Sequence, residues 1–111
     1  MEQLLLEIDI LTAIIDKYTL ILLGQEKIEL PNLLSVLAEP LKKVFPGIVA
    51  SYERRELSDK KEEQEYWVGQ LERITTALSG EDRFLAIDIL YHETRPNLLE
   101  YVQMIKEKGL E

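Results

Sequence analysis

Hydrophobic residues recur every three or four positions along most of the chain, which is the spacing of one face of an α-helix. The first such segment runs from residue 3 to residue 23 without glycine or proline and ends at Gly24. Fourteen of the twenty residues from Leu4 to Leu23 are apolar, so the apolar face is unusually wide. A helix this apolar needs cover on more than one side. We predict that it is either central in the domain or shared with a second subunit.

The second amphipathic segment contains three of the four prolines in the chain. Pro31 suits the first turn of a helix, because its missing N–H would have no partner there. Pro40 should kink or restart the helix, and Pro46-Gly47 should break the pattern again, because proline inside a helix removes a hydrogen bond and clashes with the preceding turn. Helical spacing resumes at Ile48.

Capping residues and a fourth proline mark the remaining helices. Ser58 or Asp59 is expected to begin the third helix, and Asp82 is the predicted N-cap of the next one. Pro96 should kink or end that helix near Arg95. Short connections place successive helices as antiparallel neighbours. The predicted fold class is therefore all-α: residues 1–111 form a single-domain antiparallel helical bundle of four to five helices, some of them kinked at proline.

Charge and composition narrow the classes of function. The chain carries a net charge of −8 and has no cysteine. The absence of thiols excludes disulfides, thiolate metal sites and a cysteine nucleophile. The acidic balance disfavours nucleic acid and anionic lipid as partners. Glu7, Asp9, Asp16 and Lys17 argue against a membrane span in the first helix, and the N-terminus lacks the features of a secretory signal. A cytoplasmic location is expected.

The wide first helix and one aromatic pair supply the candidate interface. Trp and Tyr often anchor protein interfaces, and adjacent residues on a helix point in different directions. Burial of Trp67 in the core with Tyr66 half-exposed is an equal alternative for that pair. A symmetric homodimer or a groove for a partner helix would cover the apolar surface. The predicted interface residues are Leu4, Leu11, Ile14, Ile15, Tyr18, Ile21, Tyr66 and Trp67.

The only histidine offers the one candidate for ligand chemistry. His92 follows Asp88 by one helical turn and precedes Glu93, so the three residues form the alternative candidate for a metal or ligand site. A third convincing ligand is lacking, and an ordinary helical position is the favoured interpretation. Asp88 lies among apolar residues and, if buried, needs a donor from another helix. No catalytic residue, cofactor or metal is predicted, and Asp82, Asp88 and Glu93 are assigned structural roles.

The segment from Leu78 to Pro96 resembles an uncharacterised family of small bacterial helical proteins. The resemblance covers 19 residues and rests on a Gly-x-Asp turn followed by Asp-Ile-Leu, a glutamate and a proline. These are Gly80, Asp82, Asp88, Ile89, Leu90, Glu93 and Pro96. The resemblance implies a helical fold and no established activity, and the proximity of relatives to motility genes favours a chaperone-like or assembly role.

Together, these observations favour a non-enzymatic protein that binds another protein or a second copy of itself. Apolar helix surface would supply the binding free energy, and an acidic rim would set partner choice. Small acidic helical export chaperones are the nearest analogy in composition and fold. The alternative is a small metal- or ligand-binding bundle that uses Asp88, His92 and Glu93.

Overall fold

The computed structural model describes residues 1–24, 29–54 and 60–110 of the chain. Over these residues the chain forms helices and no strand, which confirms the all-α prediction. The last three helical segments follow one another without a break, so the described residues form four helical rods. The segments are α1 (Glu2–Leu23), α2 (Leu30–Arg54), α3 (Lys60–Ser79), α4 (Arg83–Ile87), a π-helical segment (Asp88–Thr94, here the π segment) and α5 (Arg95–Glu107).

The rods lie side by side in a bundle measuring 43 × 22 × 21 Å. α2 packs between α1 and α3, and the last rod packs against both α1 and α3. Side-chain contacts between α3 and the last rod run in opposite directions, because Tyr66 meets Asn97 whereas Arg73 meets Glu93. Every rod therefore has two main neighbours and one outward face, and Ser51 of α2 also shares a hydrogen bond with Tyr101 of α5 across the bundle. The largest fully buried side chains are Ile8, Leu11, Ile15, Leu33, Leu37, Val44, Phe45, Ile48, Ile74, Leu78, Leu98 and Ile105.

The two interior prolines of α2 do not interrupt it. Pro40 and Pro46 both lie inside Leu30–Arg54, so the predicted break at Pro46-Gly47 is wrong. Each proline leaves the carbonyl group four residues earlier without its helical N–H. Those carbonyls belong to Val36 and Lys42, which are exposed residues, so the missing donors fall on the outer side of the helix, where an unpaired carbonyl costs less than in the core.

The fourth proline is accommodated in another way. The π segment ends at Thr94, and the α-helical pattern restarts at Arg95, immediately before Pro96. The Arg95 N–H donates to the Leu90 carbonyl, five residues back, so the wider turn carries the chain past the proline. Of the two predicted outcomes, a kink or an end near Arg95, the end does not occur, because helix continues on both sides of Arg95 and changes there from π to α.

A buried hydrogen-bond network fastens the π segment to α3. Thr94 is fully buried, and its hydroxyl donates to the Ile89 carbonyl at 2.9 Å. The same hydroxyl accepts from the Gln70 amide at 3.1 Å, and the Gln70 carbonyl oxygen accepts from Asn97 at 3.3 Å. Asp88 is exposed, so the condition under which it would need a donor from another helix is not met, and the buried polar bridge is made by Gln70 and Thr94.

The caps agree with the sequence wherever they are described. The Asp82 carboxylate accepts from the backbone N–H groups of Phe84 and Leu85 at 3.0 and 3.1 Å, which confirms it as the N-cap of α4. Gly24 follows the last residue of α1, and its N–H donates to the Leu20 carbonyl. The predicted caps Ser58 and Asp59 lie outside the described residues.

Candidate protein-binding surface on the first helix

Helix α1 divides its apolar residues between two faces. The inner face buries Ile8, Leu11, Ile15 and Leu22, together with Thr19. The outer side leaves four large apolar side chains in solvent, with exposed fractions of 53% for Leu6, 49% for Ile10, 72% for Leu20 and 58% for Leu23. The helix is therefore covered on one side only, and the rest of its apolar surface stays accessible.

The outer residues form one continuous line along α1. Leu6, Ile10, Ala13, Lys17 and Leu20 are separated by alternating steps of four and three residues, and all five are exposed. This spacing is that of a coiled-coil seam, in which one edge of a helix faces a neighbouring helix. We call these five residues the outer stripe. Its centre is Ala13, whose short side chain permits a second helix to approach closely.

A groove of about 420 Å³ borders the carboxyl-terminal half of the outer stripe. Leu20 and Leu23 line it from α1, and Ile87, Tyr91 and His92 line it from the last rod. The Tyr91 and His92 rings meet edge to face at 5.3 Å. The groove is thus an apolar cleft with one histidine at its wall, and it widens the surface that α1 offers.

An ion pair between α1 and the last rod also lines this groove. The Arg95 guanidinium donates from Nε to Asp16 Oδ1 at 2.7 Å and from Nη2 to Oδ2 at 3.4 Å. It also lies over the Tyr91 ring, 5.5 Å from the ring centre. The hydrogen bond to Asp16 raises the pKa of Arg95 above its usual value. The pair links α1 to the first residue of α5. Because both side chains are partly exposed, it contributes little to stability.

The π segment sets the position of the residues that face α1. Short π-helical stretches inside α-helices occur frequently at functional sites. Here the stretch lies between Ile87 and Arg95, and both of these residues line the groove. Tyr91 and His92 belong to the stretch itself. A wider turn therefore occurs on the rod that forms the second wall of the exposed apolar surface.

The predicted interface residues fall into two groups in the structure. Three of them are buried inside the chain, because the inner face of α1 and the core side of α3 use them. The buried residues are Leu11, Ile15 and Trp67. The others remain partly or half accessible: Leu4, Ile14, Tyr18, Ile21 and Tyr66. The most exposed apolar side chains of α1 are others, Leu6, Ile10, Leu20 and Leu23, which were not among the predicted interface residues.

The aromatic pair Tyr66 and Trp67 adopts the second of its two predicted arrangements, with Trp67 in the core and Tyr66 half-exposed. Trp67 is buried and packs edge to face against Phe45 at 5.6 Å. Tyr66 keeps 50% of its surface, and its hydroxyl accepts a 2.6 Å hydrogen bond from Asn97. Trp67 is thus a core residue, whereas Tyr66 lies at the surface of the bundle.

The alternative ligand set does not assemble. Glu93 accepts from Arg73 on α3 through both carboxylate oxygens, at 3.1 and 2.7 Å. His92 lies instead in the groove beside α1, and Asp88 is exposed. Within residues 1–24, 29–54 and 60–110, no three histidine, cysteine, aspartate or glutamate side chains are grouped so as to hold a metal ion.

Comparison of the chain with protein-family models, with curated proteins and with solved structures finds no match. The resemblance to small bacterial helical proteins therefore stays a prediction. Among the described helices, none combines the length and apolar character that crossing a membrane requires. The exposed apolar face of α1 and the groove beside it are therefore the basis for a proposal of function.

Proposed function

We propose that this protein acts by binding other polypeptides through the outer stripe of α1, and that the first partner is a second copy of the chain. The observation that carries the proposal is the exposure of Leu6, Ile10 and Leu20 in coiled-coil spacing. Burial of an apolar side chain contributes about 1.5–3 kcal/mol when it is complete. Contiguous apolar patches on small proteins commonly mark interaction sites.

The arrangement of residues around Ala13 favours self-association over an unrelated partner. Leu6 and Leu20 lie seven residues on either side of Ala13, and Asp9 and Lys17 lie four residues on either side. Two antiparallel copies related by a two-fold axis at Ala13 would bring Leu6 to the level of the partner's Leu20. The same axis would bring Asp9 to the level of the partner's Lys17.

This symmetry also determines which charged residues of the two copies face each other. Two copies of a chain with a net charge of −8 repel each other. In the antiparallel arrangement each Lys17 lies opposite a carboxylate, whereas a parallel arrangement in register would place lysine beside lysine. Lys17 on the stripe and Asp9 beside it therefore favour the antiparallel orientation over the parallel one. A two-fold interface of this kind uses the same patch on both subunits.

Sedimentation equilibrium of matched variants tests the proposal. Ile10 and Val36 are β-branched residues with similar exposed fractions, 49% and 44%, but Val36 lies on α2. Ile10→Glu places an unpaired carboxylate in the interface on both copies, so we expect the dimer dissociation constant to rise about a hundredfold or more. Val36→Glu should leave it unchanged.

Circular dichroism of both variants serves as the check that the helices are retained. A wild-type chain that sediments only as the 12.9 kDa monomer in concentrated solution would contradict self-association. An equal effect of both substitutions would contradict the placement of the interface on α1.

The same surface suits an assembly or chaperone-like role, in which a client helix replaces the second copy. The groove beside the stripe supports this extension, because Leu23 and Tyr91 would give a client helix a second apolar contact. Affinity capture with the wild-type chain and with the Ile10→Glu variant tests it. A client that the wild type retains and the variant loses is the expected result, and equal recovery by both would contradict a shared surface.

A further inference from the structure

The outer stripe by itself is a narrow surface for a stable dimer. It consists of five residues on one helix, whereas stable interfaces bury about 800 Å² on each partner and involve about 20–30 residues a side. The groove between α1 and the last rod adjoins the stripe and has apolar residues on both walls. Leu23 and Tyr91, one from each wall, have exposed fractions of 58% and 38%. The groove is therefore an adjacent, accessible surface that can widen the interface.

The two-fold arrangement brings a definite part of the partner to the level of this groove. Gln3 and Leu23 lie ten residues on either side of Ala13. The axis that brings Leu6 to the level of the partner's Leu20 therefore also brings Gln3 to the level of the partner's Leu23. Leu20 and Leu23 form the α1 wall of the groove. The segment that reaches the groove is thus the amino-terminal end of the partner's α1.

The amino-terminal end also approaches on the side of the last rod. Asp16 marks the flank of α1 that faces this rod, because it accepts a hydrogen bond from Arg95. Positions seven residues apart share one flank of a helix, so Glu2, Asp9 and Leu23 lie on the same flank as Asp16. A two-fold axis at right angles to both helices keeps this flank on the same side of the pair in both copies. Glu2 of one copy therefore faces the groove of the other.

The two surfaces are complementary in chemistry. The amino-terminal end carries Leu6, which is 53% exposed, and the side-chain oxygens of Glu2 and Gln3. The groove combines its apolar walls with the nitrogen donors of His92 and Arg95. Antiparallel packing also places the partially positive end of one α1 beside the partially negative end of the other. Apolar contact and charge therefore favour the same occupant.

We infer that the groove is a second docking site of the dimer, and that it receives the amino-terminal end of the partner's α1, residues 2–6. Two-fold symmetry forms this site twice, once at each end of the pair of α1 helices. The last rod of each copy then becomes part of the interface. The inference rests on the proposed dimer and adds to it the surface that contacts the partner beyond the outer stripe.

Sedimentation equilibrium of matched truncations tests the groove. Tyr91 and Leu85 both lie on the last rod, with exposed fractions of 38% and 45%, but Leu85 lines a different groove, against α3. Tyr91→Ala removes one apolar wall from the docked segment, so we expect the dimer dissociation constant to rise about tenfold. Leu85→Ala should leave it unchanged, and Tyr91→Phe, which retains the ring, should dimerise as the wild type does. Circular dichroism checks that each variant keeps its helices.

Cross-linking with a short bismaleimide locates the docked segment. Tyr91 lies beside Leu20 in the groove, so within one chain it is about 25 Å from Gln3 along the axis of α1. Chains that carry Gln3→Cys, mixed with chains that carry Tyr91→Cys, should form a covalent dimer. Gln3→Cys chains mixed with Leu85→Cys chains should not.

The outcomes separate this inference from the proposed dimer. A dissociation constant that Tyr91→Ala leaves unchanged would overturn the groove as a docking site while the outer stripe remained the interface. Equal cross-linking of Gln3→Cys to Tyr91→Cys and to Leu85→Cys would do the same. A wild-type chain that stays monomeric in concentrated solution would overturn both proposals.

Discussion

Helices α1 and α3 make equal contributions to the core but have very different outer faces. Each buries five residues. The exposed side of α3 is mostly charged, with Glu62, Glu65, Glu72 and Arg73, and its two half-exposed apolar residues, Tyr66 and Val68, are set among these charges. The exposed side of α1 carries Leu6, Ile10 and Leu20 instead. Because both helices meet the same demand for burial, the additional apolar residues of α1 are not needed to hold the bundle together.

The comparison separates residues that fold the chain from residues that are available to a partner. Residues on the outer face of a helix are not needed to pack the core of the chain. Their composition therefore indicates whether that face meets solvent or a partner. α3 is suited to solvent, whereas α1 is suited to another apolar surface. If this is correct, α1 and α3 contribute equally to stability through their buried residues, and only the exposed face of α1 contributes to association.

The largest effect is expected from truncation of the inner faces. Leu11 on α1 and Ile74 on α3 are both fully buried, so Leu11→Ala and Ile74→Ala should each lower the free energy of unfolding by about 3 kcal/mol. Urea denaturation of dilute protein measures the free energy of unfolding of both variants. A much smaller loss for Leu11→Ala would mean that α1 is not a full member of the core, and the comparison would fail.

Alkaline pH should lower the stability of the bundle through Tyr52 of α2, whose hydroxyl donates to Glu63 of α3. The pKa of Tyr52 is raised from 10.0 to about 12, chiefly by burial, so the folded state holds this proton more tightly than the unfolded state. The resulting stability is complete below pH 10 and is lost as the pH rises through 12. We expect a loss of about 2 kcal/mol between these limits.

Denaturation at pH 9 and pH 12 measures this loss in matched variants. Tyr52→Phe should remove the Tyr52 share of the alkaline loss, whereas Tyr18→Phe, on α1, should retain it. If both variants lost stability as the wild type does, the raised pKa of Tyr52 would not be the cause.

A smaller effect is expected from two buried threonines that serve different helices. Thr94 joins the π segment to Gln70 of α3, whereas the Thr19 hydroxyl donates to the Ile15 carbonyl of its own helix. Thr94→Val leaves buried polar groups without partners and should cost about 1.5 kcal/mol. Thr19→Val should be close to neutral. Equal losses in chemical denaturation would show that the network does not fasten α3 specifically.

Much of the fold could be predicted from the pattern of residues. The extent of α1 differs from the expectation by one residue, and Asp82 is the cap that the sequence indicated. These features depend on local chemistry, because spacing and capping are decided within one or two turns. The prolines were harder to interpret. Pro46 is tolerated inside α2 since the affected carbonyl lies on the outer side, and that side is known only after the helices have packed.

The candidate surface was less predictable for a related reason. Periodicity identifies that α1 is apolar on nearly every side, but it does not say which side the neighbouring helices cover. Leu11 and Ile15 therefore entered the predicted interface although they belong to the core. The π segment also has no simple signature, and it changes which residues of the last rod face α1. In the structure Glu93 pairs with Arg73, whereas His92 lines the groove beside α1.

Cysteine cross-linking tests the antiparallel dimer most directly, because the chain contains no cysteine of its own. A disulfide requires Cα atoms about 4.4–6.8 Å apart. We expect rapid oxidation of an Ala13→Cys variant to a covalent dimer, slow oxidation of Leu6→Cys alone, and rapid cross-linking when Leu6→Cys and Leu20→Cys chains are mixed. Cross-linking of Ala13→Cys at no greater rate than that of Ser35→Cys, an exposed position on α2, would contradict the account.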